Sequence, residues 1–199
     1  MKYSITRTSI HIYRGKMAFA VWFTGLPGSG KTVIAARTSA ILETEGIKVK
    51  ILQLDEIRRV LTPNPRYTDE ERDIVYASLA YMAKLLTECG VNVFIDATAN
   101  RRRYRDAARS IIPNFAEVYI RCPLEVCMER EAHRKAVFSP KGIYKRSTQE
   151  GANVPGVNVP YEEPLNPEIS VDSYNMRPHE GAKIAADAII ARFGVGHGN

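Results

Sequence analysis

The sequence predicts an α/β protein, a doubly wound parallel sheet in one domain, and three observations carry that prediction. Short apolar runs alternate with amphipathic stretches along most of the chain, the pattern of strands joined by helical crossovers. A glycine-rich turn sits between the first apolar run and the first amphipathic stretch. One long stretch, 135–167, breaks the alternation with five prolines and little apolar periodicity.

The elements follow in order. Phe19–Gly25 is apolar throughout and reads as the first strand. A helix is expected from Lys31 to about Glu45, with Ile34, Ala35, Thr38, Ile41 and Leu42 on one face and Gly46 as its stop. Lys48–Leu54 is the second strand, and residues 55–61 a short helix ended by Thr62-Pro63-Asn64-Pro65. Thr68-Asp69-Glu70-Glu71 has capping-box spacing and opens a helix that runs to about Cys89, with Gly90 as stop. Val91–Ala97 is a buried-type strand and Arg101–Ile112 a helix. Phe115–Arg121 is a strand, and Pro123–His133 a helix with proline in its first turn. Ile169–Asp172 supplies a last strand and His179–Arg192 a last amphipathic helix. Residues 1–16 mix charged residues with Ser and Thr and lack an apolar core; they read as an extension, not a signal peptide, ahead of a single domain over 17–199. A functional lid is expected at about 134–167.

Composition narrows the class. At 199 residues the chain is long enough to bury a substantial core. No apolar run reaches the roughly 18–20 residues of a membrane span. Three cysteines, none in a CxxC pair, read as reduced, half-buried thiols of a cytoplasmic protein. Four histidines show no metal-ligand spacing. The net charge of +6 suits an anionic ligand. Arg101-Arg102-Arg103-Tyr104-Arg105 fits either a solvated helix start or a phosphate-binding patch, which keeps nucleic acid open as a partner.

The chemistry starts at Gly25-Leu26-Pro27-Gly28-Ser29-Gly30-Lys31-Thr32, which fits the P-loop pattern G-x-x-x-x-G-K-[ST] at every fixed position, strand before and helix after. In such a loop glycines let backbone N–H groups turn onto phosphate oxygens, Lys31 meets the β and γ phosphates, and Thr32 ligates Mg²⁺. ATP and Mg²⁺ are therefore the expected cofactors. No Lys is followed two residues later by Asp, so the guanine-reading motif of GTP switches is absent, and a small-molecule or nucleotide kinase is favoured. Asp96 ends an apolar strand where a carboxylate can orient Mg²⁺ directly or through water, or else cap a helix or order a loop. Asp55 ends the second strand, where a carboxylate faces an acceptor hydroxyl and takes its proton, or else caps the helix that follows. Arg58 shares its face and suits an anionic group on the acceptor.

These segments resemble the adenylylsulfate (APS) kinase family in order over about Phe19–Asp172. "WFTGLPGSGKT" resembles the family's P-loop, "LDEIR" its Asp-Asn-Val-Arg and "RYTDEER" its Gly-Phe-Ser-x-x-x-Arg. "FAEVYIRCPLEVCMER", "SPKGIYKR" and "PGVNVPYEEPLNPEI" resemble its later segments, the last two lying in the lid. The resemblance implies transfer of a phosphoryl group from MgATP to the 3′-hydroxyl of APS in a homodimer. It implies Asp55 as base, Arg58 and Arg72 on the phosphosulfate, and Tyr67 stacked on the acceptor adenine. Arg130 would contact ATP and Lys141 the acceptor. The chain departs from the family pattern at Gln53, Val75, Ala77, Ser78 and Val154, the last replacing a stacking Phe by an aliphatic contact. An insertion falls at about Glu131–Phe138. "DATANRRRYR" resembles instead a segment of polynucleotide-kinase-like and zeta-toxin-like P-loop kinases, so another nucleotide-like acceptor or a nucleic-acid 5′ end stays open. A non-catalytic nucleotide-binding module remains the third reading.

Overall fold

A computed structural model describes residues 18–134, 140 and 142–194. The expected extension, residues 1–16, and Lys141 lie outside the described residues.

Five parallel strands form one sheet in the order β2-β3-β1-β4-β5. They are β1 (Ala20–Thr24), β2 (Val49–Gln53), β3 (Asn92–Asp96), β4 (Phe115–Arg121) and β5 (Ile169–Asp172). β1 is central and every residue in it is buried, as its uninterrupted apolar run requires. Six helices connect them: α1 (Lys31–Thr44), α2 (Leu54–Leu61), α3 (Asp69–Glu88), α4 (Arg102–Ile111), α5 (Leu124–His133) and α6 (Pro178–Phe193). One face of the sheet packs Phe19, Val21, Phe23 and Phe94 against Ile34 and Leu42 of α1 and Ala185 and Ile189 of α6. The other packs Trp22, Val93 and Ile95 against Leu79 and Ala83 of α3 and Tyr104 and Ala108 of α4. The doubly wound sheet is thus the observed fold. Nucleotide sites in such sheets lie beyond the strand C-termini where the winding reverses. Here that point is β1, whose C-terminus feeds Gly25.

Helix ends follow local chemistry. After α1 the N–H of Ile47 bonds the carbonyl of Leu42 at 2.9 Å across Gly46, at φ +75°. After α3 the N–H of Val91 bonds Leu86 at 2.9 Å across Gly90, at φ +81°. Both are Schellman closures, and both glycines stand where the stop was expected. The capping box at Thr68 is only half formed. Thr68 Oγ accepts from the N–H of Glu71 at 3.2 Å, but the Glu71 carboxylate turns to the N–H groups of Arg66 and Tyr67.

Four expectations need correction. The second strand stops at Gln53 and Leu54 opens α2, so Asp55 lies in the first turn of the helix, not at the strand end or at the cap. Pro123 caps α5 from outside it. Cys122 and Cys127 are buried and Cys89 is exposed, where all were expected half-buried. The lid segment is not without apolar anchors: Tyr144, in a 3₁₀ turn over Tyr144–Thr148, and Val154 bury against Cys122 and Cys127. No helix among the described residues is long and apolar enough to cross a membrane.

Candidate active site

The phosphate cradle is built from backbone. Ser29 N–H closes a turn onto the carbonyl of Leu26 at 3.0 Å. Gly28 has φ +85°, and a Cβ there would stand 2.2 Å from the carbonyl oxygen of Cys127. Only glycine fits such an approach. Gly30, at φ +95°, caps α1 and offers no side chain to its first N–H groups. Those donors stay open at the positive end of the helix, as an anion requires. Gly25 supplies the exit from β1. The Ser29 side chain is fully buried beneath the loop, so Ser29 can offer a ligand only backbone, and its carbonyl accepts from Ser173 Oγ at 2.7 Å.

Beside the cradle opens a cavity of about 340 Å³. Lys31, Thr32, Asp55 and Asp96 share its floor. Burial pushes the Lys31 ammonium below its usual range, and the charges of Asp96 and Asp55 oppose that shift. Burial pushes Asp96 above the usual carboxylate range, opposed by Lys31 and by a hydrogen bond from Thr32. The Oδ1 atom of Asp96 is buried without a partner among the described residues. A hydroxyl beside a buried carboxylate oxygen lacking a partner is the hard oxygen set that Mg²⁺ takes together with substrate phosphates. No cluster of three or more His, Cys, Asp or Glu occurs among the described residues, so a dedicated all-protein metal cage is not available there.

Arg58, Arg72 and Tyr67 line the same cavity. Arg58 is ion-paired with Glu71 at 2.8 Å and lies over the Tyr67 ring at 5.1 Å from its centroid. Arg72 donates to the carbonyl of Asn153, in the lid, at 2.6 Å. The 142–167 segment meets the phosphate loop: Tyr144 donates to the carbonyl of Pro27 at 2.8 Å, and Val154 lines the cavity. Thus Lys31, Thr32, Asp55, Asp96, Arg58, Arg72, Tyr67 and Val154, far apart in sequence, meet at one cavity.

Arg130 does not join them. It is exposed, does not line the cavity, and donates to the carbonyl of Ser173 at 3.0 Å. Arg134, one helical turn on, lines the cavity instead, and its charge bears on Lys31. Arg134 went unremarked because it lies inside the insertion, where the resemblance offers no matching position. Asn100 was missed as well. It lines the cavity with a buried Oδ1 that lacks a partner among the described residues, while its Nδ2 holds the carbonyl of Pro160 at 3.1 Å.

The basic run is spent on structure. Arg101 pairs with Asp69 at 2.6 Å, Arg103 pairs with Asp73, and Arg102 donates to the carbonyl of Glu163 at 3.1 Å. Arg105 is buried, ion-paired with Glu117, and donates to the carbonyls of Ala99 and Glu162. Arg105 is thus withdrawn into the fold, while Arg101 and Arg103 stay in exposed ion pairs, a solvated helix start rather than a free phosphate-binding patch.

The adenylylsulphate kinase family profile matches residues 17–172. The chain belongs to the adenylylsulfate kinase family. A probable adenylyl-sulfate kinase of Pyrococcus abyssi is 40% identical over 167 residues, covering 83% of this chain and 91% of that one. An adenylyl-sulfate kinase of Rippkaea orientalis is 38% identical over 150 residues, covering 75% and 78%. Among solved structures, the Mycobacterium tuberculosis APS kinase CysC in complex with AMPPNP and APS is 28% identical with a TM-score of 0.77, covering 88% of this chain and 99% of that one. As a member of the adenylylsulfate kinase family the chain is a nucleotide-dependent phosphotransferase, with ATP as the family's phosphoryl donor.

Proposed function

We propose that this chain transfers the γ-phosphoryl group of ATP to the 3′-hydroxyl of adenylylsulfate, giving 3′-phosphoadenylylsulfate and ADP, as a cytoplasmic homodimer in sulfate assimilation. One observation carries the proposal within the family just named. The phosphate-loop residues Lys31 and Thr32 line the same cavity as Asp55, Arg58, Arg72 and Tyr67.

Lys31 and the open N–H groups of α1 hold the β and γ phosphates, and Arg134 adds a second cation beside them. Asp55 orients the 3′-hydroxyl and accepts its proton as the oxygen attacks the phosphorus; the bond to the β-phosphate oxygen breaks and ADP leaves. Thr32 and Asp96 are the residues that would hold Mg²⁺, which when bound neutralises charge building on the transferred group. Arg58, Arg72 and Lys141 meet the phosphosulfate end, while Tyr67 stacks on the adenine and Val154 touches its other face. Residues 134–167 serve as a lid that sheds water from the reacting oxygens.

The test follows label from γ-labelled ATP into APS, other 3′-hydroxyl nucleotides and 5′-hydroxyl oligonucleotides. Transfer to APS with little to the others is expected; no transfer to APS at any concentration overturns the proposal.

A further inference from the structure

We propose that Glu71 is the positioning residue of the acceptor wall, one carboxylate that fixes the Arg58 guanidinium with one oxygen and the Arg66–Tyr67 turn with the other. The inference rests on the acceptor reading above and adds to it a residue that stands at an unspecified position of the Gly-Phe-Ser-x-x-x-Arg pattern.

The geometry is explicit. Glu71 Oε1 accepts from Arg58 at 2.8 Å. Glu71 Oε2 accepts from the N–H of Arg66 at 2.6 Å and from that of Tyr67 at 3.3 Å. Glu71's own N–H is held by Thr68 Oγ at 3.2 Å, so the carboxylate projects from the fixed first turn of α3. Arg58, Arg66 and Tyr67 all line the cavity. Tyr67 has φ +56°, a backbone conformation that a non-glycine residue keeps only when its surroundings impose it. Glu71 supplies that constraint through the N–H of Tyr67, and Asn153 adds a longer contact of 3.4 Å to its carbonyl. Arg58 then lies over the Tyr67 ring, so the side chain that would meet the acceptor's charge and the one that would meet its base share a single support. Glu71 thus holds Arg58 and the Arg66–Tyr67 turn without the acceptor, which lowers the ordering that binding has to supply.

A second consequence follows from charge. Arg58 is buried and already paired, so it acts as an oriented pair of donors more than as a free cation. Loss of Glu71 would free its charge and lose its aim.

The experiment compares wild type, Glu71→Gln and Glu71→Ala. It reads binding of APS to the ADP-loaded protein, steady-state constants for ATP and APS, and amide exchange at Arg66 and Tyr67. We expect APS affinity to fall about tenfold in Glu71→Ala and less in Glu71→Gln, which keeps one acceptor oxygen. The KM for ATP and kcat at saturating APS should stay within about twofold. In an Arg58→Ala/Tyr67→Ala background the Glu71→Ala effect on APS affinity should vanish. A proportional loss of every constant, or unchanged APS affinity despite lost protection at the two amides, overturns the positioning role. Wild-type transfer to APS is scored separately. If wild type binds but does not phosphorylate APS, the acceptor reading fails while the affinity ratios still decide the role of Glu71. Absence of APS binding to wild type overturns both.

Discussion

The Tyr144 hydroxyl donates a hydrogen bond of 2.8 Å to the carbonyl of Pro27, joining the lid to the phosphate loop. Both groups are buried, and the same tyrosine packs on Cys122, Cys127 and Val154. The contact ties the 142–167 segment to the phosphate loop, so on the proposed lid reading nucleotide binding and lid position would be coupled.

Tyr144→Phe should therefore keep the packing and lose the tie. Leaving a buried carbonyl without its donor costs about 1–3 kcal/mol. We expect amide protection across residues 142–167 to fall and the KM for ATP to rise by about fivefold or more. Hydrogen exchange with and without ADP plus acceptor checks both points; equal protection in the two states of the wild type would remove the lid role.

Lys31→Ala and Asp55→Asn should fail differently. In the proposed mechanism Lys31 would meet the phosphates in ground and transition states, so its loss should weaken ATP binding as well as turnover. Asp55 would act on the acceptor hydroxyl, so Asp55→Asn should keep ATP affinity and lose about 10²–10⁴-fold in kcat. Near-native turnover in Asp55→Asn would show that the carboxylate is not the base.

The pH profile of kcat/KM for ATP reports the free enzyme. Asp96 must be ionised to take part, and its pKa lies above the usual 3.8, so the acid limb should fall above that value. Lys31 must be protonated, and its pKa lies below the usual 10.5, so activity should be lost on the alkaline side before that value is reached. Lys31→Arg should carry the alkaline limb upward, because guanidinium does not titrate in this range. An alkaline limb unmoved by Lys31→Arg would assign it to another group.

The Arg105–Glu117 ion pair is buried. Removing one partner strands a charge, and Glu117→Leu or Arg105→Met should each destabilise by about 3–5 kcal/mol. The double variant should recover part of that loss, read as midpoint shifts in urea. Arg105→Met should also lower turnover, because Arg105 holds the carbonyl of Ala99, at φ +43° in the loop behind Asp96. Equal, additive losses would show that the two side chains act independently.

What the sequence determined by itself was everything that depends on a few consecutive residues. The phosphate loop is a local backbone path dictated by Gly25, Gly28 and Gly30, and Gly46 and Gly90 stop their helices by adopting a conformation other residues avoid. Hydrophobic period, with the glycine, proline and capping signals at element ends, located all five strands and six helices to within a few residues. The tertiary structure decided which distant groups meet. Strand order β2-β3-β1-β4-β5 brings α2, the loop after β3 and the lid to one end of the sheet, and no local pattern encodes that order. It turned an apparently free run of arginines into pairs with Asp69, Asp73 and Glu117, the last buried under the site. It put Arg134 rather than Arg130 at the cavity: α5 ends at His133 and Arg134 leaves the helix with extended backbone. It aimed the Glu71 carboxylate at Arg58 and at the N–H groups of Arg66 and Tyr67, where capping-box spacing alone would point it to Thr68. The physical division is one of range: glycine torsions and side-chain periodicity act within a turn or two, whereas buried charges pair with whatever the packed sheet brings within reach.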